Sequence, residues 1–181
     1  MADYERVRDQ KRRDIVAAKR VRRLEVGPYA TFYFENYDTI WLQVHEMLRI
    51  EKGGAAQIED ELRAYNPLIP DGHELVATVM FEIEDAARRA SVLATLGGVE
   101  DRMEIRLGGK IIKGAAERDL DYTSAEGKAS SVQFVHFDFT PDQAATFLTE
   151  VEVILAITHP NYGHMAVMPQ AVKQALMKDF I

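Results

Sequence analysis

Apolar residues recur along the chain with two periods, and these divide it into helices and strands. Residues 3–24 are polar apart from a thin stripe of Val7, Ile15, Ala18 and Val21, which predicts a helix ended by Gly27-Pro28. Residues 29–35, YATFYFE, are aromatic and β-prone and predict a strand. Asp38 offers an N-cap for a helix over 39–51, whose stripe of Ile40, Trp41, Val44, Met47 and Leu48 has the spacing of a buried face. Gly53-Gly54 is placed to close it. A shorter helix over 56–65 carries Ile58, Leu62 and Tyr65 on one side, and Asn66-Pro67 stops it.

Strict alternation follows from His73 to Glu84, where Leu75, Ala77, Val79, Phe81 and Ile83 would share one face of a strand. Residues 85–96 read as a helix with Gly97-Gly98 as terminator. Residues 102–107 and 110–114 flank Gly108-Gly109 as a hairpin, and 115–129 are polar and loop-like. The clearest strand is 132–139, VQFVHFDF. Thr140-Pro141 then opens a helix that the pattern carries to about Ala156, with Ala144, Phe147, Leu148, Val151 and Leu155 as its buried stripe. The segment HPNYGHMAVMP is irregular, with room for a short strand, and a last helix covers 169–179. There is no repeat, linker or regular βαβ alternation. The expectation is one α+β domain over 1–181, mainly antiparallel sheet with packed helices and a basic N-terminal helix.

Composition narrows the chemistry. The chain has no cysteine, which excludes disulfides, thiolate nucleophiles and an iron–sulfur cluster held through cysteine. A divalent metal would have to be held by His, Asp or Glu. The first fourteen residues are charged where a secretion signal needs an apolar core, and no run approaches the roughly 18 apolar residues of a membrane span. A cytoplasmic protein with no membrane attachment is therefore expected.

The net charge of −7 is unevenly spread, with +4 over residues 1–26 and −11 over the remainder. That basic arm could dock on an acidic partner, or its long cationic side chains could lie along the acidic body of the same molecule. Nucleic acid is not expected, because Asp3, Glu5, Asp9 and Asp14 interrupt the cluster and interleaved aromatics are lacking. An oligomer is left open.

Several sharp motifs are absent. There is no Gly-x-Gly-x-x-Gly, no phosphate loop and no Gly-x-Ser-x-Gly elbow. His45-Glu46 begins like a zinc-protease helix, but Arg49 stands where the second histidine belongs. No histidine has a glutamate three residues before it, as a helical di-iron site needs.

Two constellations remain. Thr39, Gln43, Glu46 and Arg49 share a helix face, with Glu35 and Asn36 just before it. They could wall a polar site, or form a solvated face with a Glu46–Arg49 pair that contributes only about a few tenths of a kcal/mol. His159-Pro160-Asn161-Tyr162-Gly163-His164 could bring two imidazoles to a metal, with His136, Glu35 or Glu46 as a third ligand, or supply an acid–base pair. Equally, those side chains could hydrogen-bond locally while Tyr162 packs.

The same residues carry a resemblance. Arg8, Arg12-Arg13, Lys19, Arg22-Arg23, Gly27-Pro28, Phe34-Glu35, Thr39, Gln43, Glu46-Met47 and Arg49 belong to the pattern. So do the run AYNPLIP (residues 64–70) and His159-Pro160, Tyr162 and His164. Over essentially its whole length the chain resembles the bacterial domain-of-unknown-function family 3501. The family carries no assigned activity. Its genes often sit beside those of rubrerythrin-like proteins and iron–sulfur oxidoreductases, which implies an accessory role in redox or peroxide metabolism with such proteins as partners.

The combined expectation is a polar ligand- or metal-binding pocket. Glu35, Gln43, Glu46 and Arg49 would line it near Asn66, with His159, Tyr162 and His164 on an opposing wall. Glu46 or a histidine would carry a proton and Arg49 would clamp an anion. The alternative expectation is a non-enzymatic subunit that docks through its basic N-terminal helix.

Overall fold

Alternation of buried and exposed residues begins earlier than the sequence pattern suggests. In the computed structural model, which describes residues 1–117, 121–149 and 152–180, helix α1 spans Ala2–Arg20. It is followed at once by strand β1 (Arg23–Val26). Leu24 and Val26 point inward while Arg23 and Glu25 stay exposed, so the period is two and not 3.6. Gly27-Pro28 is therefore the turn of a hairpin into β2 (Ala30–Phe34), not the end of the helix.

Helix α2 (Tyr37–Glu51) is capped by Asn36, two residues earlier than Asp38. The Asn36 side chain accepts from the Thr39 N–H, and the Thr39 hydroxyl accepts from the Asn36 N–H, a closed capping box. Lys52, in the left-handed region at φ 55°, ends α2, so Gly53 starts α3 (Gly54–Tyr65) instead of closing the helix before it. On α3 the expected apolar side is largely unburied, with Ile58 43% and Leu62 40% exposed.

The central strands follow as expected: β3 (Glu74–Phe81), helix α4 (Ala86–Leu93), and the hairpin of β4 (Met103–Leu107) and β5 (Lys110–Lys113). Its Gly108 and Gly109 both hold positive φ, as a two-residue hairpin loop of primed type demands. The 115–129 segment adds a two-residue strand β6 (Ala115–Ala116) and a bridge between Thr123 and Ala129; its residues 118–120 lie outside the described residues. Strand β7 (Val132–Asp138) leads to α5 (Pro141–Thr149).

The helix expected to reach Ala156 does not. Val153–His159 is strand β8, and Tyr162–Val167, read as irregular, is strand β9 paired to it. The reason is coverage on both faces. Val153, Leu155, Ala156 and Ile157 are all buried, so the run shows no alternation and its apolar content looks helical. Leu148 is exposed, and Val151 lies outside the described residues. Helix α6 (Gln170–Leu176) closes the chain with a short 3-10 turn.

Two antiparallel sheets result, in the orders β1-β2-β3-β7-β6 and β5-β4-β8-β9. Their inner faces share one core in which Phe32, Phe34, Val79 and Phe137 meet Ile105, Leu155 and Ile157, with Phe147 of α5 and Leu176 of α6 fully buried in it. Full burial of each such side chain contributes roughly 1.5–3 kcal/mol. The chain is one α+β domain.

The outer face of the five-stranded sheet is covered by α2, where Ile40 and Val44 pack with Leu68 and Val76. Helix α1 lies in turn on α2, with Tyr4 and Ile15 buried and the Tyr4 ring edge-on to Trp41. Arg22, only 5% exposed, ties the layers together. Its guanidinium donates to the carbonyls of Phe34 (3.1 Å) and Glu35 (2.9 Å) and pairs with Asp179 beyond α6. Burial pushes the Asp179 carboxyl up, against the pull of Arg22. Among the described residues no helix is long and apolar enough to cross a membrane.

Candidate functional site

Strand β2 presents Phe32 and Phe34 to the core, so Thr31, Tyr33 and the residue that follows the strand, Glu35, must face the helices. Glu35 is 6% exposed. Its carboxylate is held by two hydroxyls: Thr78 of β3 donates to one oxygen at 2.7 Å, and Thr39, the same residue that closes the α2 capping box, donates to the other. The backbone of Glu35 is fixed as well, by its N–H to Val76 O (2.8 Å) and by Arg22 on its carbonyl.

This carboxylate lines a cleft of about 340 Å³ between the sheet and the C-terminal part of α1. Tyr33, Met80, Val132 and Phe134 form its floor; Ile40, Gln43, Tyr65 and Leu68 form its helical wall; Lys19 stands on its rim. Each carboxylate oxygen has about two acceptor positions, so two hydroxyl donors leave about two unfilled. No ion pair joins Lys19 to Glu35 among the described residues. The site therefore combines a buried acceptor, a lysine ammonium not paired to it and an aromatic floor.

Of the residues singled out in the sequence, Glu35 and Gln43 come together here and the rest lie elsewhere. Glu46 is turned to α1, where Arg8 forks onto both its oxygens at 2.7 and 2.8 Å and the Tyr4 hydroxyl donates as well. The hydrogen bonds from Arg8 pull the Glu46 carboxyl down to about 2, while burial and its bond to Glu46 push Tyr4 up to about 12. Arg49 pairs with Glu5 at 2.7 Å, not with Glu46, and faces an apolar groove between the first three helices. Asn66 is exposed at the end of α3.

The histidine-rich hairpin lies on the other sheet. Tyr162 is buried there, and its hydroxyl accepts from the N–H groups of Tyr29 (2.8 Å) and Ala30 (2.9 Å) and donates to Val26 O (2.8 Å). It thus anchors the β1–β2 turn. His159 accepts from Asn161 N–H at Nδ1 and reaches Gly97 O from Nε2, both at 3.2 Å, so both ring nitrogens are engaged. His164 is exposed and packs on Tyr162, with ring centroids 4.6 Å apart. His136, one of the three side chains expected as a third ligand, sits between Glu74 and Glu117 at 2.8 Å from each, which raises its pKa. Among the described residues no three His, Asp or Glu side chains are grouped as metal ligands.

Lys19, named in the sequence only as part of the family pattern, joins the site, and Tyr33, Thr78, Met80 and Phe134 escape the sequence reading. Their signal is the alternation itself. Tyr33 pairs with Thr78, and Thr78 with Phe134, so the three form a row across the outer face of the sheet. Polar residues at alternate positions of core strands mark that face.

Comparison with known proteins agrees with the fold. A family model described as protein of unknown function (DUF3501) matches residues 1–180. No curated protein matches the sequence. A crystal structure of a novel protein of unknown function from Burkholderia pseudomallei K96243, at 1.90 Å resolution, is similar to this chain with a TM-score of 0.90 and 33% identity, over 99% of this chain and 94% of that one. The chain belongs to the DUF3501 family of proteins of unknown function.

Proposed function

We propose that the protein is a small-molecule-binding protein whose site is the cleft between the outer face of the five-stranded sheet and helices α1 and α2. The observation that carries this reading is the Glu35 carboxylate, 94% buried, facing that cleft with two hydroxyl donors and, among the described residues, no ion pair. A buried carboxylate without a counter-charge costs stability, and such a cost is offset where a ligand supplies the missing donor. The volume, about 340 Å³, falls at the small end of the roughly 300–1,000 Å³ of ligand pockets. In the redox or peroxide metabolism that the family resemblance implies, a cysteine-free chain would assist by holding such a molecule.

Thermal-shift screening of small amines, amino acids and carboxylates tests the reading on wild type, Glu35→Gln and Arg49→Ala. Ligands that raise the melting temperature of wild type should lose their effect in Glu35→Gln and keep it in Arg49→Ala, which lies outside the cleft. The opposite pattern moves the site to the groove between the first three helices.

A second reading has its own observation. Arg12, Arg13 and Arg20 remain exposed on one side of α1, beside Val16 and Ala17. Docking of this face on an acidic partner would be abolished by Arg12→Glu with Arg13→Glu, measured by co-purification from the native host; unchanged recovery of partners would exclude it. Charge reversal is preferable to truncation, because Tyr4 and Ile15 are buried.

A further inference from the structure

The cleft carries two opposite charges at different points of an otherwise apolar surface. Glu35 is buried in its lining, and Lys19, half-buried on α1, stands at the rim with no ion pair to it among the described residues. Tyr33, Met80, Phe134 and Tyr65 line the same cleft. A ligand with one charge would leave the other protein charge uncompensated as water is expelled. A neutral apolar ligand would desolvate both. A ligand that carries an ammonium and a carboxylate balances both, and its own dipole fixes its direction in the cleft.

We infer that the ligand is a zwitterionic α-amino acid with an aromatic or branched apolar side chain. Its ammonium donates to the two acceptor positions of Glu35 that Thr39 and Thr78 leave unfilled, its carboxylate pairs with Lys19, and its side chain lies on Tyr33 and Phe134. The cleft volume of about 340 Å³ accommodates a ligand of that size. The arrangement also gives specificity. The buried carboxylate rejects deaminated analogues, because an acid brought against it adds a like charge. This inference rests on the cleft being the binding site.

Isothermal titration with L-phenylalanine, phenethylamine and 3-phenylpropionate separates the components, on wild type, Glu35→Gln and Lys19→Ala. L-phenylalanine should bind wild type at least about tenfold more tightly than either single-charge analogue, since each loses a charge-assisted bond. Glu35→Gln should weaken it by about tenfold or more, and Lys19→Ala by about three- to tenfold. Lys19→Ala alters a half-buried rim residue, so the test survives should Glu35→Gln fold poorly. Phenethylamine binding as tightly as phenylalanine, with Lys19→Ala without effect, overturns the amino-acid assignment and leaves the cleft reading standing. So does the failure of all three compounds while other screened ligands still depend on Glu35. Screened ligands that bind independently of Glu35 overturn both.

Discussion

Thr78 donates its hydroxyl to Glu35 at 2.7 Å, diagonally across the β2–β3 ladder, and so fixes one oxygen of a carboxylate buried on the outer face of the sheet. Removing that donor without changing side-chain shape should expose how far the carboxylate depends on it. Thr78→Val should lower stability by about 1–2 kcal/mol, because it leaves a buried acceptor with one hydroxyl partner where it had two. Urea denaturation at neutral pH measures this, and an unchanged midpoint would mean that water already serves the carboxylate.

Tyr162 satisfies three backbone groups of the β1–β2 turn from the opposite sheet. Tyr162→Phe should cost about 2–4 kcal/mol, since Tyr29 N–H, Ala30 N–H and Val26 O lose their partner together. Gly27→Ala should be comparably harmful. Gly27 holds φ +72°, and an added Cβ would lie 2.5 Å from the His164 ring. Both effects appear in denaturation midpoints, and either variant matching wild type would show that the turn is held otherwise.

The Arg8–Glu46 pair docks α1 on α2 and carries a pH signature. Glu46 titrates at about 2 when folded and at the ordinary 4.5 when the pair is absent. Because the folded value is depressed, its stabilisation is complete above about pH 4.5 and is lost as pH falls towards 2. Glu46→Gln should therefore melt at a lower temperature than wild type near neutrality, with the gap closing over that interval. A gap that stays constant to pH 2 would contradict the pairing.

His136 shows the opposite sign. Glu74 and Glu117 raise its pKa above the ordinary 6.5, so the stabilisation is present below 6.5 and fades as pH rises through the folded value. Wild type should lose stability as pH rises above 6.5 through the raised folded value, and His136→Gln should lose less over the same rise. An imidazole midpoint below 6.5 by NMR would contradict the clamp.

The positions of these groups show what was legible in the sequence. The α+β class, the Gly108-Gly109 hairpin and the β3 and β7 strands follow from local patterns that packing reinforces. Strands β1 and β8 do not. The first is four residues long beside a charged helix, and the second is buried on both faces and shows no alternation. At the site, Glu35 and Gln43 were visible because both flank or lie on the amphipathic α2. Glu46 and Arg49 share that helix, but Arg8 and Glu5 from α1 engage them, and a long-range pairing of that kind leaves no periodic trace. His159 and Tyr162 have the composition of a metal loop, and in the fold both hydrogen-bond to backbone groups beside a hairpin, a long-range contact that local spacing does not show.

Amide chemical-shift mapping with ¹⁵N-labelled protein and L-phenylalanine tests most directly whether the Glu35 cleft is the binding site. The expected result is a set of shifted signals confined to Lys19, Tyr33, Glu35, Gln43, Thr78 and Phe134, absent in Glu35→Gln. Shifts centred on Arg49 and Leu62, or on Gly27 and His164, with the cleft residues unmoved, would contradict it.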